Sequence, residues 1–274
     1  MLNSESRFYQ FVREERLFCA VLAHLLMQRG PNLATFLQLV DAKLQDDSRL
    51  VTSGLDEGDI YLEFTFLRDN WNKLGRDNDS KRALIFTLLS KVDGLSRYHS
   101  SAFPSAIPEF NEFFMGPRGK RIENDIVYPG QWSVATLSDR FGPEPEEFRD
   151  FCRFKWSFNI KPDIVVLLPG SRPVCIEAKL ESREGQYPAN HRESKIFDSL
   201  FGVGKRRVHQ VELQQFMLGT LLDAPCHSVF IGRSGSSEPN SIFLSWDEVF
   251  KQLDLTSSIG YVRRLIEENR HIAG

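Results

Sequence analysis

The chain has 274 residues, of which 41% are hydrophobic, and it carries a formal net charge of −3 at pH 7. No apolar run approaches the roughly 20 residues that span a bilayer, and the polar N-terminus is unlike a secretory signal, so we predict a cytoplasmic protein with no membrane partner. The small negative charge argues against a protein that coats DNA, but only weakly against an enzyme that grips a few phosphates, because local charge matters more there than net charge.

The cysteines Cys19, Cys152, Cys175 and Cys226 lie far apart and form no CxxC pair. This spacing is not that of a zinc site or a disulfide framework. We therefore expect reduced thiols, most of them in the core.

The first half of the chain combines predicted helices with one candidate strand. Apolar residues at helical spacing predict a first helix from about Arg7 to Arg29, ended by Gly30 and Pro31. The same reasoning predicts further helices, and a run of aromatic and branched residues predicts a strand. These segments are 33–44 (helix), 59–67 (strand) and 80–92 (helix). Residues 98–145 are rich in Pro and Gly and include the basic run GPRGKR at 116–121, so we expect loops with short elements, including one or two edge strands.

From Phe151 onward the pattern becomes strand-like. Three consecutive runs, FKWSFNI, PDIVVLL and PVCIEAKLE, are predicted strands, and Pro169-Gly170-Ser171 forms a turn between the last two. After these runs we predict a polar stretch, a helix, a strand and a last helix at 182–204, 206–222, 226–233 and 259–270. Helices and strands mix throughout, which predicts an α/β or α+β protein.

Charged residues interrupt the two most strand-like runs. Side chains alternate between the faces of a strand, so Glu177 and Lys179 point to one face while Ala178 points to the other. A short turn favours antiparallel pairing of the two runs. The start of the first strand then lies near the end of the second, and Asp163 can approach Glu177 and Lys179.

This trio suits metal-assisted hydrolysis of a phosphodiester. Two neighbouring carboxylates repel each other, and a divalent cation removes that penalty. Mg²⁺ prefers oxygen ligands and binds through one or two carboxylates together with substrate phosphate. A nearby ammonium group can orient the attacking water or stabilise the growing negative charge. The alternative is a solvated sheet edge with a cross-strand ion pair.

The sequence Pro162-Asp163, followed after a short interval by Glu177-Ala178-Lys179, resembles the core motif of the PD-(D/E)XK nuclease superfamily. The resemblance covers about Trp156 to Arg233 and, loosely, the first helix. It implies that Asp163, Glu177 and the backbone carbonyl of Ala178 bind Mg²⁺, for which Mn²⁺ can substitute, and that Lys179 acts on water. It also implies a restriction-endonuclease-like mixed central sheet flanked by helices.

Members of this superfamily often carry a glutamate on a helix that precedes the core sheet. Glu14 and Glu15 both occupy such a position. Glu15 shares a helical face with Cys19, Leu22 and Leu26, which makes it the preferred fourth catalytic residue. The alternative is an acid favoured by the helix dipole in the first turn.

A helix after the EXK strand carries, in some branches of the superfamily, a glutamine that contacts phosphate. Here Gln210 and Gln214 lie one turn apart, after the basic residues Lys205, Arg206 and Arg207. We predict that these five residues contact nucleic acid. The glutamine–tyrosine form of the element is absent, and a solvated helix face is the alternative.

We therefore expect a single nuclease-like domain over 1–274. Its predicted parts are a first core helix, a largely helical insertion before the core, a catalytic core and a C-terminal helix, at 1–30, 35–150, 151–250 and 251–274.

The predicted activity is a Mg²⁺-dependent phosphodiesterase that acts on DNA as a restriction-like or defence endonuclease of a prokaryote. The expected assembly is a homodimer or a larger defence or repair complex. The alternatives are a nuclease that cleaves RNA and a catalytically inactive nuclease fold that binds nucleic acid or supports assembly. A dead copy has no reason to keep the Asp–Glu–Lys set, which argues against the inactive form.

Overall fold

The computed structural model describes residues 15–28, 31–44, 50, 55, 58–180, 184–233, 241–256, 258, 260, 262, 263 and 266. In chain order, the helices and strands of these residues are α1 (Glu15–Met27), α2 (Pro31–Asp41), β1 (Asp59–Leu62), α3 (Phe66–Lys73), α4 (Asn78–Leu89), α5 (Ile107–Met115), α6 (Pro117–Lys120), α7 (Val134–Phe141), α8 (Pro145–Ser157), β2 (Ile164–Leu167), β3 (Val174–Ala178), β4 (Gln186–Tyr187), α9 (His191–Phe201), β5 (Val208–His209), α10 (Gln210–Gln215), β6 (His227–Gly232), β7 (Ile242–Ser245) and α11 (Trp246–Gln252).

The protein is mixed α/β, with a five-stranded mixed sheet flanked by helices. The strand order is β1-β2-β3-β6-β7. Antiparallel pairing joins β1 to β2 and β2 to β3, whereas β3, β6 and β7 are parallel. The central strand β3 therefore has an antiparallel neighbour on one side and a parallel neighbour on the other. Of the helices in the described part of the chain, none has the length and apolar character needed to cross a membrane.

The chain forms two compact units. The first comprises Met1–Phe64, Pro162–Glu184 and Pro225–Gly274, and it contains the five-stranded sheet. The second comprises Thr65–Lys161 and Gly185–Ala224, and it contains α3 to α10 together with the small β4–β5 sheet.

One face of the five-stranded sheet forms the core of the first unit together with α1, α2 and α11. Alternation along β3 places Ile176 and Ala178 on this face, opposite the Glu177 side chain. Phe18 and Leu22 of α1 are buried in the same core. Burial of this apolar surface is the main stabilising contribution to the unit, and it fixes which β3 residues face away from α1.

The second unit is built around aromatic side chains. Phe114 stacks on Trp132 with a centroid separation of 3.8 Å, and Trp132 also stacks on Phe154 at 5.4 Å. Beyond α10 the chain continues as a π-helix over Phe216–Leu221.

Most of the predicted elements are confirmed. The helices expected at 33–44 and 80–92 are α2 and α4, and the helix expected at 206–222 is α10 with its π-helical continuation. The strand expected at 226–233 is β6, and β2 and β3 are antiparallel as expected. The four cysteines are free thiols.

The prediction of a strand at FKWSFNI is wrong, because these residues form the end of α8 and the turn after it. Pro145 occupies the first turn of α8 together with Glu146 and Glu147, which favour a helix N-terminus. The buried residues Phe148, Phe151 and Phe154 then follow at helical spacing. The apolar run was ambiguous because both faces of this helix are largely buried.

Three further predictions need correction. Residues 98–145 contain α5, α6 and α7 and no strand, although edge strands were expected there. The predicted strand at 59–67 stops at Leu62, and α3 begins at Phe66. The polar stretch at 182–204 includes α9, whose N-terminus is capped by the Asn190 side chain. The part of the predicted first helix before Glu15 lies outside the described residues. Most of the predicted last helix, at 259–270, also lies outside them.

Candidate active site

The predicted site lies at one end of the β2–β3 pair in the first unit. Ile164 is opposite Ile176 in this antiparallel pair, so the same register places Asp163 opposite Glu177. Opposed residues in an antiparallel pair direct their side chains to the same face. The structure therefore brings Asp163, Glu177 and Lys179 to one face of the sheet, away from the α1 core.

The Asp163 carboxylate is held by the neighbouring strand. Its Oδ2 accepts a hydrogen bond from the backbone N–H of Ala178 at 2.9 Å. The side chain of Asp163 thus accepts a hydrogen bond from β3 just beyond the last backbone-paired residues of β2 and β3. A hydrogen bond to a charged acceptor is stronger than a neutral one, so it fixes the carboxylate beside Glu177-Ala178-Lys179.

The backbone at Asp163 is also tied to β1. The N–H of Glu63 donates to the carbonyl of Asp163 at 2.9 Å, and the N–H of Phe64 donates to the carbonyl of Pro162 at 3.0 Å. These bonds continue the β1–β2 pairing past the end of β1. Asp163 is therefore held on both sides, by its backbone and by its side chain.

Glu177 is completely buried in the central strand. Its side chain is 0% exposed, and its Oε1 lies 2.5 Å from Nζ of Lys179, whose side chain is 11% exposed. A carboxylate shielded from water requires a nearby positive charge, and Lys179 supplies it. The pair places an anionic oxygen and a cation side by side in surroundings that strengthen electrostatic interactions.

The main chain of Lys179 is anchored in two directions. Its N–H donates to the carbonyl of Ile231 in β6 at 2.7 Å, and its carbonyl accepts a hydrogen bond from the indole N–H of Trp246 at 2.9 Å. Trp246 is 0% exposed and begins α11. These contacts fix the backbone just beyond β3, and so they limit where the ammonium can move.

The thiol nearest the trio is an unsuitable nucleophile. Cys175 is two residues before Glu177 on the same face of β3 and is buried. The hydrogen bond with Cys226, together with burial and the nearby charges of Glu177 and Asp163, raises the pKa of Cys175 well above its ordinary value. The neutral thiol is therefore the stable form at pH 7, and the thiolate is needed for nucleophilic attack.

The oxygen donors at this site match a hard divalent cation. Asp163 and Glu177 supply carboxylates, and the resemblance adds the carbonyl of Ala178. Mg²⁺ usually takes only one or two carboxylates from the protein and completes its coordination with water and substrate. Within the described ranges, no three His, Cys, Asp or Glu side chains come close enough to hold a metal ion together. Two carboxylates are within the number that Mg²⁺ usually takes from a protein.

Glu15 is the first residue of α1, and its side chain is outside the described part of the structure. The residues that define its predicted face, Cys19, Leu22 and Leu26, are all buried in the core of the first unit. The role of Glu15 itself stays a prediction, because its side chain lies outside the described residues.

The predicted glutamines are both in α10 of the second unit. Gln210 is the first residue of this helix, and its backbone N–H donates to the carbonyl of Gly185 at 2.9 Å. Gln214 is only 1% exposed. The alternative of a solvated helix face thus does not hold for Gln214, and a side chain buried to this extent gives little support to the predicted nucleic-acid contact.

The basic residues before α10 are in different environments. Arg207 donates to Asp198 at 2.6 Å, and Arg206 pairs with Glu146 at 2.8 Å. Lys205 is exposed. Two of these three basic residues, all predicted to contact nucleic acid, therefore already have carboxylate partners within the second unit.

Two groups near the trio were not found from the sequence. Trp246 lies far along the chain from Lys179, and only the parallel β3–β6–β7 arrangement brings α11 to the end of β3. Its position directly after a short strand and its Ser245 capping box were the only local signals, and they indicate a helix start. The Cys226 partner of Cys175 had no local signal.

No protein-family model, curated protein or solved structure matches this chain.

Proposed function

We propose that this protein is a Mg²⁺-dependent nuclease with a restriction-endonuclease-like core and a PD-(D/E)XK active site. One observation carries the proposal. A fully buried glutamate in the central strand lies against Lys179, and Asp163 is held at the same end of the strand pair by the Ala178 amide. A sheet position that could have held an apolar residue instead holds a charged group that burial makes costly, which favours a functional role.

Each residue has a separate part in the proposed reaction. Asp163 and Glu177 present carboxylate oxygens, with the Ala178 carbonyl beside them, and when bound Mg²⁺ supplies positive charge that stabilises the phosphodiester under attack. Lys179 orients the attacking water and stabilises negative charge that develops in the transition state. Glu15 is the proposed fourth catalytic residue.

DNA is the proposed substrate, with phosphate contacts from the second unit. Lys205 is exposed and is the best placed of the basic residues to contact phosphate. Gln210, at the start of α10, is the better supported of the two glutamines, because Gln214 is buried.

The proposal is tested by incubating the protein with plasmid, linear and single-stranded DNA and with RNA, in Mg²⁺, in Mn²⁺ and with a chelator. We expect metal-dependent cleavage of DNA that Asp163→Asn lowers on the order of 10²-fold or more and that Lys179→Met abolishes. Matched controls on α11 are Asp247→Asn and Lys251→Met, each of which removes one partner of an ion pair between a half-buried aspartate and an exposed lysine. These controls are expected to cleave as the unchanged protein does.

The outcomes separate the alternatives. Cleavage of RNA alone supports the RNA nuclease, with the same three residues in the same roles. Metal-dependent cleavage that survives in both site variants would eliminate the proposed site. Absence of cleavage together with absence of Mn²⁺ binding, measured by calorimetry with an oligonucleotide present, supports the inactive nucleic-acid-binding module.

A further inference from the structure

A cavity of about 370 Å³ opens on the surface of the second unit, and the predicted nuclease residues do not line it. Apolar side chains of Met115, Val134 and Ile196 form part of its wall. Arg118 and Arg192 line the same cavity. A volume of this order is typical of pockets for small ligands.

Two arginines line this cavity, and neither has a carboxylate partner among the residues that the structure describes. Arg118 belongs to α6 and Arg192 to α9, and both are exposed. Over the described ranges neither forms an ion pair or a hydrogen bond with another side chain. Other arginines of this unit do have carboxylate partners, as in Arg149 with Glu212 and Arg207 with Asp198. The cavity thus concentrates uncompensated positive charge.

The N-termini of two helices add to this charge. Ser133 caps α7 and Asn190 caps α9, and both caps line the cavity. Each cap accepts a hydrogen bond from the third residue of its helix, at 3.2 Å for Thr136 and 2.8 Å for Glu193. The earlier amides of each helix have no intrahelical acceptor, and each helix end carries partial positive charge. Val134 and Ala135 from α7 and Arg192 from α9 line the cavity at these positions.

One acid also lines the cavity, and its charge is compensated. Glu193 Oε1 lies 3.7 Å from Nζ of Lys155, a lysine whose side chain is only 9% exposed. The buried ammonium offsets the carboxylate. The positive charge that remains around the cavity comes from two guanidinium groups and two helix N-termini.

We propose that this cavity binds the phosphate group of a small phosphorylated molecule of about nucleotide size. A dianion matches two guanidinium groups better than a carboxylate does, because each guanidinium can donate two parallel hydrogen bonds to phosphate oxygens. Amides at helix N-termini bind phosphate in the same way. The apolar wall formed by Met115, Val134 and Ile196 then accommodates the organic part of the ligand.

The test uses calorimetric titration of the full chain with inorganic phosphate, adenosine 5′-monophosphate, adenosine and a 5′-phosphorylated oligonucleotide. A chelator and the Asp163→Asn change keep the proposed nuclease site out of the measurement. We expect both phosphate and the nucleotide to bind, the nucleotide more tightly, and adenosine to show no binding.

The variant Arg118→Gln/Arg192→Gln should weaken nucleotide binding by at least about tenfold, because two charge-assisted contacts are lost. Lys195→Gln is the matched control, since Lys195 is an exposed cation of α9 that does not line the cavity. It should leave affinity unchanged. Thermal unfolding of all three proteins checks that the fold is retained.

Binding of the oligonucleotide alone, lost in the double variant, would identify a strand end as the source of the phosphate and would still support the pocket. The proposal is overturned if no phosphate-bearing probe binds at millimolar concentration. It is equally overturned if the double variant binds as tightly as the unchanged protein.

Discussion

Lys179 Nζ lies 2.5 Å from Oε1 of Glu177, and the glutamate side chain has no exposure to solvent. The two residues are separated by one position on the same strand face, so the pair is formed locally and then buried by the fold. Its components depend on each other, because a carboxylate in this position without its cation is strongly unfavourable.

Removing the ammonium should therefore destabilise the protein as well as inactivate it. Lys179→Met leaves Glu177 without its counter-charge, and we expect the free energy of unfolding to fall by about 3–5 kcal/mol. The double variant Glu177→Gln/Lys179→Met should recover at least half of that loss, because a neutral amide requires no cation. Urea denaturation measures both effects, and cleavage should remain absent in both proteins.

This cycle separates the structural role of the pair from its chemical role. The single variant Glu177→Gln completes the cycle. If the double variant loses as much stability as Glu177→Gln and Lys179→Met lose in sum, Glu177 and Lys179 do not stabilise each other. Recovery of cleavage in the double variant would contradict the proposed site.

Asp163→Asn should separate charge from structure at the second carboxylate. The asparagine oxygen can still accept the hydrogen bond from the Ala178 amide, so we expect a loss in unfolding free energy of only about 1 kcal/mol. Activity should fall on the order of 10²-fold or more, because a metal contributes several kcal/mol of charge stabilisation and each 1.4 kcal/mol is a factor of ten. Mn²⁺ titration monitored by electron paramagnetic resonance should show weakened binding.

Asp163→Ala serves as the comparison, since it removes both the charge and the acceptor. It should cost a further 1–3 kcal/mol or so of stability, the expected penalty for an orphaned amide. Equal stability of the Ala and Asn variants would show that the bond from Ala178 does not hold the carboxylate in place.

The trio was predictable from sequence because its information is local. Alternation along a strand places Glu177 and Lys179 on one face. The short turn makes the two strands antiparallel, so the start of β2, with Asp163, lies beside the end of β3, with Glu177. The burial of Glu177 and the bond from Ala178 to Asp163 were not predictable, since they depend on where neighbouring strands begin and end.

Long-range contacts account for most of what the sequence did not show. Trp246 reaches the Lys179 carbonyl only because β6 and β7 are parallel to β3. The error at FKWSFNI has a different origin. Its apolar residues fit a buried strand and a helix buried on most sides equally well, and only length and the start signals at Pro145 distinguish them.

Trp246 is expected to act as a positioning residue. Trp246→Phe retains an aromatic ring but removes the N–H that donates to the part-buried carbonyl of Lys179, and the loss of this hydrogen bond should cost about 1 kcal/mol of stability. We expect kcat to fall with little change in KM, because the effect is on the placement of Lys179. Steady-state cleavage kinetics measure the two constants separately.

Phe250→Leu is the matched control for this change. Phe250 stacks on Trp246 with ring centroids 5.5 Å apart, so its replacement disturbs the same packing without touching the hydrogen bond. It should lower stability and leave kcat unchanged. If both variants lower kcat equally, packing and not the indole N–H supports Lys179.

Gly185→Ala offers a test of the Gln210 side chain that leaves the glutamine in place. A Cβ at position 185 would lie 2.6 Å from Oε1 of Gln210, which is the far end of a flexible side chain and can move aside at little cost. We expect unfolding free energy to stay nearly constant and DNA affinity to fall, as it should in Gln210→Ala. Fluorescence anisotropy with a labelled oligonucleotide in Ca²⁺ measures this affinity, and unchanged binding in both variants would exclude Gln210 as a contact.

Stability should decline in mildly alkaline solution because of the buried thiols. Burial raises the pKa of Cys152 well above its ordinary value; Lys155 opposes this shift in part, and Glu193 adds a smaller contribution in the same direction as burial. The folded protein therefore keeps this proton while the unfolded chain releases it above about pH 8.5. The stabilisation is complete below that pH and is lost as the pH rises, by up to about 1.4 kcal/mol per pH unit for each such group.

Cys175 shifts in the same direction, although the pKa of its hydrogen-bonded partner Cys226 is lowered and opposes part of this effect; Cys152 and Cys175 are thus the two thiols that keep their protons in the folded protein above about pH 8.5. Cys152→Ser and Cys152→Ala both remove one of them, and urea denaturation at several pH values should show the slope of stability against pH reduced by one proton in each. The alanine variant should also be less stable at pH 7, because it leaves a small cavity at a completely buried position. A slope identical to that of the unchanged protein would show that Cys152 ionises as readily in the folded state as in the unfolded chain.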